Sequence, residues 1–220
     1  MKIPATIFLT ALSTAGPASA SELSAAFNIV RKGDMIGYHA VEVTEEGGIT
    51  RTETRIRMRV KFGPVVVFRY DLASIEHWRD GALQSIESST DRNGRKMNLT
   101  VQRTANAFVV NGSSYQGEAP LNAIPGSYWN KEIVDAPVLL NTQNGSLVPV
   151  KGADLGQSKT PAGEDAEHYR LSGSVDLDLW YEGQKWVGAE FTIKGEDLAY
   201  QEMDDTAQET LFSEIGFAGS

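Results

Sequence analysis

The chain has 220 residues, a formal net charge of −9, 41% hydrophobic residues and no cysteine. A chain this acidic repels phosphate backbones, which argues against nucleic acid as a partner. Without cysteine it forms no disulfide, carries no thiol chemistry and offers no N-terminal thiol for lipid attachment, and its length suits one domain with a core that needs no covalent staples.

Residues 1–20 read as a cleaved secretory leader. Lys2 is a short positive start, Ile3 to Leu12 is an uncharged apolar run, and Ala18-Ser19-Ala20 is a small-residue cleavage site behind Pro17. The run is too short for a permanent membrane anchor. Cleavage after Ala20 predicts a periplasmic or secreted protein, one unit more acidic once Lys2 is gone. No later stretch predicts a transmembrane helix.

Residues 21–203 read as strands separated by tight turns. Ser24 to Val30 and Met35 to Val43 flank Lys32-Gly33, and Gly37 predicts a bulge or a close backbone approach. In Ile49 to Lys61 the charged Arg51, Glu53, Arg55, Arg57, Arg59 and Lys61 alternate with Thr50, Thr52, Thr54, Ile56, Met58 and Val60. Period two places these sets on opposite faces, one of them wet. Gly63-Pro64 turns into Val65 to Trp78, and Asp80-Gly81 into Leu83 to Thr90. Asn93-Gly94 is the strongest hairpin signal in the chain. Lys96 to Thr104 and Phe108 to Gly112 make a further pair.

Between Gly117 and Gly145 the alternation fades and Pro120, Pro125 and Pro137 intervene, with a short helical turn at Lys131 to Asp135. Leu147 to Leu155 resumes as strand. No linker obviously splits the chain, and the Gln157 to Glu164 loop is the best candidate for one. Ala166 to Tyr181, Lys185 to Lys194 and Leu198 to Met203 form an antiparallel meander. Residues 204–220 are an acidic tail that Leu211, Phe212 and Ile215 could dock as a short helix. The expected fold is all-β: a strongly curved antiparallel sheet of about ten strands, half-barrel or barrel, with one long irregular excursion.

His39, His77 and His168 fall on three strands without metal-ligand spacing, so they read as structural, with zinc as the alternative. No metal or other cofactor is expected. Glu76, Asp80 and Asp91 could serve a two-carboxylate hydrolase if they converged, but turn-forming roles for both aspartates are the simpler account. The arginine stripe reads as a solvated outer face paired through Glu53, with anion binding as the alternative. No catalytic residue is assigned. Tyr128, Trp129, Asn130, Asn141 and Gln143 are the candidate ligand-binding set, either rimming a concave pocket or plugging it.

Several groups of residues carry a resemblance: Gly33 with Ile36-Gly37, Arg69-Tyr70, Glu76-His77-Trp78-Arg79-Asp80-Gly81, Asn93-Gly94, Tyr128-Trp129-Asn130, Leu139-Leu140-Asn141 and Leu179-Trp180-Tyr181 with Trp186-Val187-Gly188. With these the chain resembles a family of uncharacterised secreted proteobacterial proteins, a likeness that implies export but no activity. In architecture it is similar, at a distance, to the half-barrel lipoprotein carriers of the Lol system. The expected function is therefore an exported protein binding an apolar or amphiphilic ligand, a lipid or other small molecule, in its curved sheet. The alternative is a structural or interaction protein with another envelope protein as partner.

Overall fold

The computed structural model describes residues 20–193 and 195–217. Residues 1–19 of the predicted leader lie outside the described residues.

After a 3-10 turn at Ala20–Leu23 the chain runs through fifteen strands and one helix. The first five strands are β1 (Ala25–Arg31), β2 (Asp34–Glu46), β3 (Ile49–Phe62), β4 (Val65–Arg79) and β5 (Ala82–Arg92). Next come β6 (Arg95–Arg103), β7 (Phe108–Gly112), β8 (Gln116–Ala119), β9 (Ile124–Pro125) and β10 (Val138–Leu140). The last are β11 (Leu147–Lys159), β12 (Asp165–Gly173), β13 (Leu177–Glu182), β14 (Lys185–Ile193) and β15 (Glu196–Glu202), followed by α1 (Asp205–Ile215). All fifteen strands join one sheet, with β8 and β9 at its two ends and β1 paired to β15 in its middle. Every ladder is antiparallel except β9–β10. Among the described residues no helix is long and apolar enough to cross a membrane.

The all-β, curved antiparallel sheet is as the sequence predicts, but the strand count rises from about ten to fifteen. Three of the additional strands, β8, β9 and β10, are short pieces inside the irregular excursion, which also holds the predicted helical turn as a 3-10 helix at Lys131–Asp135. Ala166 to Tyr181 is two strands rather than one, because Gly173 at φ 125° turns the chain between β12 and β13. The Gln157 to Glu164 region does not divide the chain. It is the β11–β12 hairpin, where the Thr160 amide donates to Glu164 O at 2.7 Å.

The turns follow their residues. Asn93 and Gly94 take φ of 53° and 85°, both positive as a two-residue hairpin of this type requires, and Asp91 Oδ1 accepts the Gly94 amide at 2.7 Å. Gly37 is a close approach: a Cβ there would lie 1.8 Å from Arg57 O.

The inner face of the curled sheet holds the main core, including Phe27, Ile29, Ile86, Leu99, Leu179, Tyr181 and Trp186, all fully buried. Each such side chain contributes about 1.5–3 kcal/mol. Near the two ends of the sheet the curl brings its parts together. The Ser114 amide after β7 donates to Asn144 O at 3.0 Å, with Gly112 and Gly145 in contact beneath. On the outside, α1 caps with Asp204, whose side chain accepts from the Ala207 amide. It docks Phe212, with Phe217, onto Ala26 and Ala40.

Candidate functional site

Residues 120–146 cross the inner face, burying Trp129, Ile133 and Leu140, with Tyr128 partly buried beside them. Tyr128 is held at φ 69°, and its carbonyl accepts the Tyr181 hydroxyl at 2.7 Å. Its ring lies 6.0 Å from His39 and 5.3 Å from Trp186. Trp129 meets Trp78 edge-on at 5.4 Å, and its indole N–H donates to Glu76 Oε2 at 3.1 Å. Trp78 donates to the same oxygen at 3.0 Å.

The amides of the predicted set act locally. Asn130 Oδ1 caps the 3-10 helix by accepting the Glu132 amide, and Asn141 Oδ1 accepts the Gln143 amide. Gln143 reaches the sulfur of Met97 at 4.0 Å. The structure therefore brings Tyr128 and Trp129 together in the interior, and gives Asn130 and Asn141 to the backbone of the crossing segment.

The wall opposite this segment is unusually polar. Cross-strand register sets Thr52 beside Glu76, Thr54 beside Ser74, and Leu72 beside Thr90. Ser74 in turn faces Ser88. Directly opposed residues place their Cβ atoms about 5 Å apart, so these side chains form one continuous patch. All of Thr52, Thr54, Ser74, Glu76, Ser88 and Thr90 are buried, and His39 on β2 extends the patch. Among the described residues, both ring nitrogens of His39, the five hydroxyls and Glu76 Oε1 have no hydrogen-bond partner. Interiors pair nearly all such groups, and each one left alone costs about 1–3 kcal/mol.

Burial dominates the electrostatics. It pushes the His39 imidazole down to about 3, so the ring is neutral. It raises the Glu76 carboxyl, against hydrogen-bonding influence from Trp129, Ser127, Trp78 and Thr52. Of these four, only the two indoles reach it in good hydrogen-bonding geometry. Burial also pushes Tyr128 up to about 12 and raises Tyr70, where Tyr128 adds to the effect and Arg92 and Thr90 oppose it. Such surroundings favour neutral, hydrogen-bonding partners over ions.

The other candidate groups do not meet. Glu76 is interior, Asp80 is exposed in the β4–β5 turn, and Asp91 holds the β5–β6 turn at the opposite end of β5. No two-carboxylate cleft forms from them. His77 bonds Ser85 at 3.3 Å, and His168 stacks on Trp180 at 4.4 Å while bonding Asp178 at 2.7 Å. The arginine stripe is paired as its pattern suggested: Arg51 and Arg55 flank Glu53, and Arg59 binds both oxygens of Asp71 at 2.7 Å.

Sequence reasoning placed Thr52 and Thr54 on one face but missed that the face joins Ser74, Ser88 and Thr90. Part of the signal was available: Thr52 and Thr54 on β3 and Ser88 and Thr90 on β5 recur at period two, with Ser74 on β4 between them, where a core face ordinarily carries branched apolar residues.

Residues 27–202 match the model of DUF6134, a domain family of unknown function, and the chain belongs to that family. Comparison with curated proteins gives no match. Among solved structures the chain is similar to a beta-barrel-like protein of domain of unknown function DUF1849 from Brucella abortus. The identity is 7%, 82% of this chain and 94% of that chain are covered, and the TM-score is 0.59. At that identity the likeness is one of fold.

Proposed function

We propose that this is an exported binding protein, periplasmic in a two-membrane cell, that holds an amphiphilic small molecule against the inner face of its curved sheet. The observation that carries the reading is the patch of buried polar groups without partners, facing Tyr128 and Trp129. A sheet selected only for stability would fill those positions with apolar side chains, because each lone hydroxyl or imidazole opposes folding. A ligand with a neutral polar end would satisfy Thr54, Ser74, Ser88 and His39, while its apolar part packs on Ile86, Leu99 and Val101. Entry requires the crossing segment to lift. Besides packing, the part to be moved is tied by Trp129 to Glu76, by Tyr128 O to Tyr181 and by Lys131 to Glu167 and Gly183 O, while β10 stays paired to β11. Export rests on the leader pattern of residues 1–20.

The test is a titration with a fluorescent fatty-alcohol analogue, followed by quenching of tryptophan emission. Saturable quenching that weakens in Ser74→Val and His39→Leu supports the reading; a probe that never saturates, or that ignores both substitutions, counts against it. Sequencing the mature N-terminus of the exported protein tests cleavage after Ala20.

A further inference from the structure

β3 and β4 are the longest strands, with 14 and 15 residues, and they outrun their neighbours. The β2 ladder ends at Gly37–Met58 and the β5 ladder at Tyr70–Arg92, whereas β3 and β4 stay paired to Phe62–Val65. Residues 59–69 thus form an arm reaching about 15 Å past the last flanking pairs at ~3.3 Å per residue. Gly63, at φ 57°, and Pro64 turn its tip.

The tip is apolar and bare. Phe62 is 81% exposed, and Val65 and Val67 are more than half exposed. Met35 and Ile193 are exposed at the same end of the sheet, where β2 begins and β14 ends. Phe62, Val65 and Val67 belong to none of the core clusters, so packing within the chain does not account for them. Soluble proteins seldom leave large apolar side chains grouped in this way without a surface to meet them.

The charge around the tip selects the surface. Arg57, Lys61, Arg69, Arg92, Arg95 and Lys96 are exposed on the arm and on the adjoining β5–β6 turn. That turn is fixed to the arm: the Arg69 amide donates to Asn93 Oδ1 at 2.7 Å, and Arg92 lies over the Phe68 ring at 5.8 Å. Of the acids near the arm, Asp71 is engaged by Arg59 and Asp91 by the Gly94 amide, and Asp34 is exposed beside Met35. A basic collar behind an apolar tip, in a chain of net charge −9, runs against the overall balance. Long aliphatic stems let such a collar stay at headgroup level while the tip sits among acyl chains. Screening over about 8 Å at physiological salt keeps the acidic remainder of the protein from cancelling it.

We infer that the β3–β4 hairpin is a membrane-docking arm, inserting Phe62, Val65 and Val67 into the interface of an anionic lipid bilayer with its basic collar on the headgroups. This goes beyond ligand binding in the interior and stands without it.

The experiment is co-sedimentation of the purified protein with vesicles of phosphatidylcholine alone and of phosphatidylcholine mixed with phosphatidylglycerol, at low and high salt. The expected result is binding to the mixed vesicles, weakened but not abolished by salt. Phe62→Ser with Val65→Ser lowers partitioning at least about tenfold, as loss of two interfacial apolar side chains implies. Lys61→Glu with Arg69→Glu lowers it on the anionic vesicles specifically. Val109→Ser with Leu155→Ser, at exposed apolar positions away from the arm, leaves it unchanged. Phe62→Trp gives a blue shift in emission on binding. Absence of vesicle binding, or binding indifferent to the tip substitutions, overturns the inference. So does self-association, or capture of a protein partner, that needs the tip while vesicles are ignored.

Discussion

Replacing Thr54 by valine puts a methyl group where a buried hydroxyl has no partner. Thr54 is 2% exposed, with Val41 and Ser74 opposite it on the neighbouring strands. Removing an unsatisfied hydroxyl relieves about 1–3 kcal/mol, and the added methyl finds apolar contact at Val41. The substitution therefore raises stability by ~1–3 kcal/mol, against the usual trend for core changes. For a chain of this size each kcal/mol moves Tm by about 2–4 °C, so thermal unfolding followed by circular dichroism should shift upward by roughly 2–12 °C. Urea unfolding should move in midpoint with an unchanged slope. The same protein should bind the fatty-alcohol probe more weakly, since the valine removes a hydrogen-bonding contact for the polar end. A fall in Tm would show that the Thr54 hydroxyl is hydrogen-bonded in the native protein, and the reasoning from unpartnered groups would fail at its first step.

Four further outcomes follow from the interior. Glu76→Leu leaves the Trp78 and Trp129 indoles without an acceptor and should cost about 2–5 kcal/mol, whereas Glu76→Gln keeps an acceptor and costs less; equal stability of the two by urea unfolding would remove the indole bonds from the account. Because burial raises the folded-state pKa of Glu76, its contribution to stability is present below the ordinary carboxylate range and fades as pH rises through the raised value, a trend that Glu76→Gln should flatten. His39 has the opposite sign: depressed from 6.5 to about 3, it contributes stability above pH 6.5 that is lost as pH falls, about 3 kcal/mol by pH 4. His39→Leu should erase that acid-side slope in urea midpoints, and a slope unchanged by the substitution would place the titration elsewhere. Gly152→Ala would set a Cβ 1.7 Å from Val134 O and push the 3-10 helix off β11, so a loss of ~2 kcal/mol or more is expected, while a protein as stable as wild type would contradict the close approach.

Turn chemistry made much of the fold legible in advance. Asn93-Gly94, Gly63-Pro64 and Glu182-Gly183 sit at hairpins because each supplies a backbone shape that most residues resist. The Lys131–Asp135 turn was legible too, and the structure adds that Asn130 caps it. The break between β12 and β13 was not, since Leu171, Val175 and Leu177 keep an apolar rhythm across Gly173. The short strands β8 to β10 were hidden because two to four residues are too few to show a period.

The candidate site was half legible. Tyr128 and Trp129 stood out as aromatics in irregular chain. His39 and Glu76 were visible only as residue types, because alternation cannot tell a buried polar side chain from a wet one until the partner strand is known. The docking arm is a property of register: Phe62 and Val65 are ordinary strand residues until the ladders of β2 and β5 end short of them.

The central claim is that the interior holds an amphiphile, and the most direct measurement is native mass spectrometry of the protein recovered from its own cell envelope without denaturation. The account predicts an adduct of defined small-molecule mass that organic extraction releases and that Ser74→Val with His39→Leu diminishes. A bare polypeptide mass from every gentle preparation would contradict it.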